Sequence, residues 1–217
     1  EELRQNNKAP YTFSAALVRV DLNGYTQLFL EKNVDYITKV LNIYFQKAHD
    51  IIERYHGKIY QYVGDEIVFI IKDNKNYNSQ LMAMSAIRSL FQEAQNIESS
   101  LSKSEGHSFK LKASFSHGDL RFIKLDEGFA YSGLPLIESV RMLGAVKEKN
   151  ENTLIFFSQD LEHIQDFCEP KEEISMVFKG FTHETKLIQV QKMHSIEQTI
   201  MNQSKLENLI YFRSNSE

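Results

Sequence analysis

The 217-residue chain lacks several features that define common protein classes. Its single cysteine, Cys168, cannot form an internal disulfide, and no set of Cys and His residues has the spacing of a zinc site. A basic excess is also missing, because 29 acidic residues outnumber 25 Lys and Arg residues. The formal net charge of -4 therefore argues against nucleic acid as the main partner.

Long apolar runs are absent as well. No stretch approaches the roughly 20 apolar residues that cross a bilayer, and the start of the chain does not resemble a signal peptide. The single cysteine favours a reducing, cytoplasmic setting. Because the chain opens at Glu1 rather than at Met, we expect a fragment of a longer protein, whose flanking segments could carry a membrane anchor or a sensor domain.

The chain does contain enough apolar residues for one large domain, with 42% hydrophobic and 12% aromatic content. Its periodicity predicts strand, helix, strand, strand, helix, strand, strand, helix, and then further strands. This order predicts an α+β fold, with a ferredoxin-like βαββαβ core extended by C-terminal strands and helices packed on a mostly antiparallel sheet. We place a leader or linker at residues 1–12, the domain at residues 13–193 and a connector toward a missing segment at residues 194–217.

Some elements have clear limits in the sequence. Residues 34–55 have the three-four apolar spacing of an amphipathic helix, and Gly57 closes that helix. Two strands, at 58–63 and 66–72, form a hairpin about Gly64-Asp65. Ser158 is expected to cap a short helix after a strand at 153–157. The last predicted strands lie at 174–178 and 186–190.

Two aspartates occupy contexts that suit a metal site. Asp21 ends an apolar run before a helix, and Asp65 lies in the turn between two apolar runs. If the two strands are neighbours in one sheet, the carboxylates converge, and a hard cation such as Mg²⁺ is the natural occupant. The simpler alternatives are that Asp21 caps the next helix and that Asp65 serves only its own turn.

Five ordered segments together resemble the class III nucleotidyl cyclase homology domain. Each segment is weak alone, but as a set they are specific and extend over nearly the whole predicted domain. They are Val20-Asp21-Leu22-Asn23-Gly24-Tyr25-Thr26, Gly57-Lys58-Ile59-Tyr60-Gln61-Tyr62-Val63-Gly64-Asp65, Lys112-Ala113-Ser114-Phe115-Ser116-His117-Gly118, the stretch 133–141 and Phe178-Lys179-Gly180.

The resemblance implies an enzyme that converts a nucleoside triphosphate into a 3′,5′-cyclic nucleotide and pyrophosphate, at two sites across a homodimer interface. It implies two Mg²⁺ or Mn²⁺ ions per site, held by Asp21 and Asp65 with the Leu22 carbonyl as a further ligand. The terminal phosphates would meet backbone N–H groups at the start of the next helix, in a turn formed by Asn23, Gly24, Tyr25 and Thr26.

Two basic side chains complete the implied site. Lys112 stands where the family usually has an arginine on the γ-phosphate, so the charge is kept but the bidentate fork is lost. Arg141 matches the arginine that the second subunit supplies to stabilise charge on the α-phosphate. The simpler alternatives place Lys112 on an exposed strand face and Arg141 on a solvated helix face.

Three further positions depart from the family pattern. Ile137 replaces an asparagine that orients the ribose, and isoleucine cannot make that hydrogen bond. The two positions that read the purine are Gln61 and Leu134, of which only Gln61 can donate and accept hydrogen bonds. This pair matches neither the adenine pattern nor the usual guanine pattern, so ATP, GTP and pyrimidine nucleotides all remain open.

Two further hypotheses stand beside an active cyclase. The departures at Gln61, Leu134 and Ile137 fit a degenerate cyclase-like module that binds a nucleotide and dimerises to regulate an attached domain. A relative of the diguanylate cyclases is suggested by Gly64-Asp65-Glu66, although the neighbouring residues of that signature differ. His117 and Cys168 have no partners at the spacing of a catalytic nucleophile, and we expect both to be structural.

Overall fold

A computed structural model describes residues 11–101, 109–146 and 150–195 of the chain. The strands in these ranges are β1 (Tyr11–Leu22), β2 (Lys58–Val63), β3 (Glu66–Lys72), β4 (Leu111–Lys124), β5 (Phe129–Ser132), β6 (Thr153–Phe157), β7 (Cys168–Met176) and β8 (Thr185–Met193). The helices are α1 (Tyr25–Glu31), α2 (Val34–Arg54), α3 (Ser79–Leu101), α4 (Leu134–Ala145) and the short α5 (Leu161–Ile164). None of the described helices is both long enough and apolar enough to cross a bilayer.

The eight strands form one sheet in the order β2-β3-β1-β4-β6-β8-β7, and β5 pairs with β4 outside this path. The strands β2, β3, β1 and β4 are antiparallel neighbours, which is the ferredoxin-like arrangement. Strands β6, β8 and β7 extend the sheet, and among the described strands the β4–β6 pair alone is parallel. The predicted α+β fold with a mostly antiparallel sheet is confirmed.

Two long helices cover one face of the sheet. Alternation in β1 directs Ala16, Val18 and Val20 toward this face, where α2 and α3 pack on them. The apolar residues of both helices recur at helical spacing, as predicted for α2. They are Ile37, Val40, Tyr44, Ala48, Ile51 and Ile52 in α2, and Ala83, Met84, Ile87, Leu90, Ala94 and Ile97 in α3.

Helix α4 covers only part of the opposite face. Its Met142 packs with residues of β6, β8 and the β7–β8 connection. The neighbouring part of this face is an aromatic cluster formed by Tyr11, Phe13, Tyr60, Phe122, Phe129 and Tyr131. Along the outward side of α4, Leu134, Ile137 and Val140 are about half exposed. Helix α4 therefore leaves an apolar stripe exposed on this side of the molecule.

Several details differ from the prediction. Strand β1 begins at Tyr11, so the last two residues of the predicted leader belong to the sheet. Strand β7 begins at Cys168, six residues earlier than expected, because an edge strand tolerates Pro170 and many charges. The predicted Ser158 cap is wrong, since Ser158 opens a 3₁₀ turn without a side-chain cap bond. The rest of the leader and residues 196–217 of the connector lie outside the described residues.

Candidate active site

The two aspartates predicted as metal ligands meet at one end of the sheet. Asp21 lies near the end of β1, and Asp65 lies in the turn between β2 and β3. Because β1 pairs with β3, the turn brings the two carboxyl groups together. The backbone N–H of Leu22 donates to Asp21 Oδ1 and to Asp65 Oδ2, at 3.1 Å each. The convergence expected from the sequence is present.

Two glycines in the left-handed region shape this end of the sheet. Gly64, with φ of 65°, lets the hairpin turn within two residues, and Gly24, with φ of 77°, is the N-cap of α1. Asp21 is therefore not the helix cap of the simpler alternative. Asp65 does not serve only its own turn either, because its Oδ2 accepts a hydrogen bond from Leu22, 43 positions away.

Lys112 offsets part of the negative charge. It lies directly opposite Asp21 in the β1–β4 pair, and its Nζ is 2.8 Å from Asp21 Oδ2. Burial, followed by the hydrogen bond and the charge of Asp21, raises the pKa of Asp65 to about 8. The Asp65 carboxyl group therefore holds its proton more tightly than an ordinary aspartate does. We call the end of the sheet that holds Asp21, Asp65 and Lys112 the site end.

The oxygen ligands at the site end suit a hard divalent cation. Mg²⁺ is usually held by one or two protein carboxylates together with water and substrate phosphates. In the described ranges, no group of three or more His, Cys, Asp or Glu side chains has the geometry of a metal site. Two converging carboxylates therefore fit a cation that brings phosphate oxygens with it, rather than an ion in an all-protein cage.

Gln61 faces the same side of the sheet as Asp21. A β-bulge just before Gln61 places it opposite Val68, which in turn lies opposite Arg19 of β1. Bulges commonly redirect a side chain beside an active site. Leu134, the second predicted base contact, is the first residue of α4 and is 55% exposed. Both base contacts stay predictions.

The remaining predicted residues lie on α1 and α4. Asn23 precedes α1, Tyr25 and Thr26 begin it, and none of the seven helix residues is fully buried. Arg141 is exposed on α4, and no hydrogen bond or ion pair joins it to another residue in the described part of the chain. Ile137, one turn earlier, is 51% exposed. The role of Arg141 in a second subunit stays a prediction.

A buried ion pair beside the aspartates was missed by sequence reasoning. Arg19 is 8% exposed, pairs with Glu66 and donates from its Nε to Ser139 Oγ of α4 at 3.0 Å. Glu66 follows Asp65 directly, but its side chain is committed to Arg19. The sequence does contain a signal for this pair, namely an arginine within the apolar end of β1. A buried charge requires a partner of opposite charge.

Comparisons with known proteins address the fold. No family model and no curated protein matches the chain. Among solved structures, the guanylyl cyclase Cya2 matches with a TM-score of 0.75 at 17% identity, covering 87% of this chain and 97% of that one. The adenylyl cyclase CyaB from P. aeruginosa matches with 0.75 at 17% identity, covering 86% and 98%. The guanylate cyclase domain of RhGC from Catenaria anguillulae, in complex with GTP, matches with 0.68 at 13% identity, covering 86% and 100%.

These similarities extend over nearly the full length of the compared domains. The chain has the fold of the class III nucleotidyl cyclase homology domain, which is the fold of guanylyl and adenylyl cyclase catalytic domains. The resemblance inferred from the sequence motifs is confirmed at the level of the fold.

Proposed function

We propose that the chain is the catalytic domain of a nucleotidyl cyclase, which converts a nucleoside triphosphate into a 3′,5′-cyclic nucleotide and pyrophosphate. The observation that carries this proposal is the convergence of Asp21 and Asp65 at a strand end of a cyclase fold. Two structures with this fold were solved with GTP and with ATPαS, which supports a nucleoside triphosphate as the substrate.

Each predicted residue has a task in this proposal. Two divalent cations, Mg²⁺ or Mn²⁺, would activate the 3′-hydroxyl and neutralise charge on the triphosphate. Asp21 and Asp65 would hold them, with the Leu22 carbonyl as a further ligand. Lys112 would turn from Asp21 toward the γ-phosphate. The backbone N–H groups of residues 23–26 would contact the terminal phosphates.

A homodimer is part of the proposal. The exposed stripe of Leu134, Ile137 and Val140 lies beside Arg141 on α4, and an exposed apolar patch commonly marks a protein interface. In the site of a second copy, Arg141 would stabilise negative charge on the α-phosphate. One similar structure is a dimeric guanylyl cyclase domain from Blastocladiella emersonii, which supports this arrangement.

The test incubates the purified chain with Mn²⁺ and each of the four nucleoside triphosphates, because Gln61 and Leu134 do not select one base. Mass spectrometry of the products is the measurement. A cyclic mononucleotide from at least one substrate is the expected result. A cyclic dinucleotide would favour the diguanylate cyclase alternative, and absence of any cyclic product at high protein concentration would contradict the proposal.

A second candidate function is nucleotide binding without turnover, which would regulate an attached domain. The observation that favours it is the exposed hydrocarbon side chain of Ile137, where the resemblance implies an asparagine. The variant Ile137→Asn separates the two functions, with Val140→Asn as a control on the same exposed stripe. Activity in Ile137→Asn alone supports the binding module, whereas turnover by the wild type excludes it.

A further inference from the structure

A buried polar network joins α4 to the sheet, and the proposed catalysis gives this network no task. Arg19 of β1 pairs with Glu66 at the start of β3 and donates from Nε to Ser139 Oγ at 3.0 Å. Ser114, which lies opposite Arg19 in β4, donates from its hydroxyl to the Ser139 carbonyl at 2.8 Å. Arg19 is 8% exposed, and both serines are fully buried. One residue of the helix therefore accepts hydrogen bonds from two neighbouring strands.

Stability alone does not account for an ion pair at this place. Replacing a buried ion pair by well-packed apolar side chains often leaves a protein equally stable or makes it more stable. Apolar packing is available on this face, because Leu17, two residues before Arg19, lies in an apolar cluster on which Leu136 of α4 packs. Apolar contacts have no direction, whereas hydrogen bonds require a defined geometry. The network therefore adds a defined orientation of the helix.

The orientation of α4 decides where Arg141 points. The side of α4 that faces the sheet is narrow, and its buried residues are Pro135, Ser139, Met142 and Leu143. Successive residues of a helix are turned by about 100°, so Arg141, two residues after Ser139, points about 200° away from it. Arg141 is accordingly exposed. Hydrogen bonds that hold Ser139 against the sheet also fix the direction of Arg141.

The other members of the network are next to the aspartate pair. Arg19 is two residues before Asp21 in β1, and Glu66 directly follows Asp65. Because side chains two positions apart in a strand share a face, Arg19 and Asp21 lie on the same face of the sheet. A single guanidinium group is thus linked to the strand of each aspartate and to the helix that carries Arg141.

We propose that Arg19 and Glu66 are positioning residues of the reaction: through Ser139 they hold α4 in the orientation that directs Arg141 at the α-phosphate in the site of a second copy. This inference rests on the proposed function, because Arg141 must act on a bound nucleotide. The charge that Arg141 stabilises develops in the transition state. Loss of the link should therefore lower kcat and leave the binding of metal and substrate nearly unchanged.

The experiment compares Ser139→Ala with Ser89→Ala in the full 217-residue chain. Ser139→Ala removes the hydroxyl that accepts from Arg19 and keeps the carbonyl that accepts from Ser114. Ser89→Ala is the matched control, because Ser89 Oγ of α3 is 3.0 Å from the Tyr55 hydroxyl at the end of α2. Steady-state kinetics with Mn²⁺ give kcat and KM, and electron paramagnetic resonance gives the Mn²⁺ affinity without nucleotide. Hydrogen exchange follows the backbone amides of α4.

The two serine variants should differ in kcat. We expect Ser139→Ala to lower kcat about tenfold, because a small misplacement of a catalytic group is enough for such a loss. Its KM for the nucleotide and its Mn²⁺ affinity should stay close to the wild-type values, and exchange at residues 134–145 should become faster. Ser89→Ala should lower the Tm, because it breaks a hydrogen bond, while kcat and the exchange of α4 stay unchanged.

The variant Arg19→Lys tests the same link from the strand. Lysine keeps the positive charge beside Glu66, but it lacks the planar fork that donates to Glu66 and Ser139 at once. Arg19→Lys should therefore lower kcat as Ser139→Ala does, and the double variant should be no slower than the slower single variant. Losses that multiply in the double variant would show two independent effects and would overturn the inference.

The remaining outcomes separate this inference from the proposed function. If the wild type turns over and Ser139→Ala keeps wild-type kcat or wild-type exchange of α4, only the role of Arg19 is overturned. An equal loss of kcat in Ser89→Ala would also overturn it, since general destabilisation would then slow the reaction. If the wild type forms no cyclic product, the proposed function is contradicted and the role of Arg19 is overturned with it.

Discussion

Strand β3 is flanked by an aspartate at each end, with Asp65 before it and Asp73 after it. Asp73 has partners of its own, because His117 Nε2 lies 3.2 and 3.0 Å from its two oxygens and the Ser79 hydroxyl donates to it. Asp65 instead faces a second carboxyl group, that of Asp21, and its pKa is raised to about 8. We call the end that holds Asp73 and His117 the far end of the sheet.

The difference separates a structural acid from an acid that is suited to bind a ligand. A carboxylate whose oxygens meet fixed protein donors has few lone pairs left for a ligand. Two carboxyl groups brought together by strand pairing repel each other when both are ionised, and a bound cation would relieve that repulsion. A cavity of about 590 Å³ lies at the far end and is lined by Asp73, His117, His163 and polar loop residues.

The largest expected effect comes from replacing an aspartate by asparagine, first at one end of β3 and then at the other. We expect Asp65→Asn to reduce cyclic nucleotide formation by more than about 100-fold, because losing a metal ligand should exceed the loss of an outer hydrogen-bond partner. Asp73→Asn makes the same chemical change at the far end and should keep wild-type turnover while lowering the Tm. Initial rates and thermal melts measure both, and equal losses of turnover would contradict the distinction.

A buried acid at the far end, Asp160, extends the comparison to the dependence of stability on pH. It is 6% exposed, its Oδ1 accepts a hydrogen bond from Gln80 at 3.2 Å, and its Oδ2 has no partner among the described residues. Burial raises the pKa of Asp160 from 3.8 to about 6. The folded protein therefore binds this proton more tightly than the unfolded chain does. The resulting stability is complete below about pH 4 and is lost as the pH rises through about 6.

The variant Asp160→Asn should remove this dependence on pH. Between about pH 4 and about pH 7, the wild type should lose up to about 3 kcal/mol more unfolding free energy than the variant does. Urea unfolding at several pH values measures the difference. Parallel pH profiles of the two proteins would show that Asp160 does not titrate in this range.

A smaller effect is expected from Lys112, whose ammonium group competes with any cation for Asp21. A partly exposed ion pair contributes up to about 1 kcal/mol, so Lys112→Gln should tighten binding of Mn²⁺ alone by up to about fivefold. Lys75→Gln removes the same charge from the cavity at the far end and should leave this affinity unchanged. Titrations followed by electron paramagnetic resonance compare the two, and weaker binding in Lys112→Gln would exclude such competition.

The central elements of the fold were predictable because their sequence patterns are strong. The hairpin of β2 and β3 and the strand β6 have the predicted limits, since turn residues and apolar runs define them locally. The start of β7 was not predicted, because an edge strand needs no apolar alternation to remain paired. Its residues Glu169, Pro170 and Lys171 give no strand signal of their own.

The aspartate pair was predictable because each residue lies at a strand end that the pattern locates. Contacts that depend on strand register were not predictable. The pairing of Arg19 with Glu66 and the bulge before Gln61 follow from how β1, β2 and β3 align.

The guanidinium group of Arg19 joins three parts of one chain: β1, the start of β3 through Glu66, and α4 through Ser139. Breaking such a buried bridge is strongly unfavourable, so the acid-bearing strands and the helix that carries Arg141 should shift together. In an assembly of two copies, this rigid unit would contribute acids to one reaction centre and a cation to the other. A displacement caused by substrate at one reaction centre would therefore also move residues of the other reaction centre.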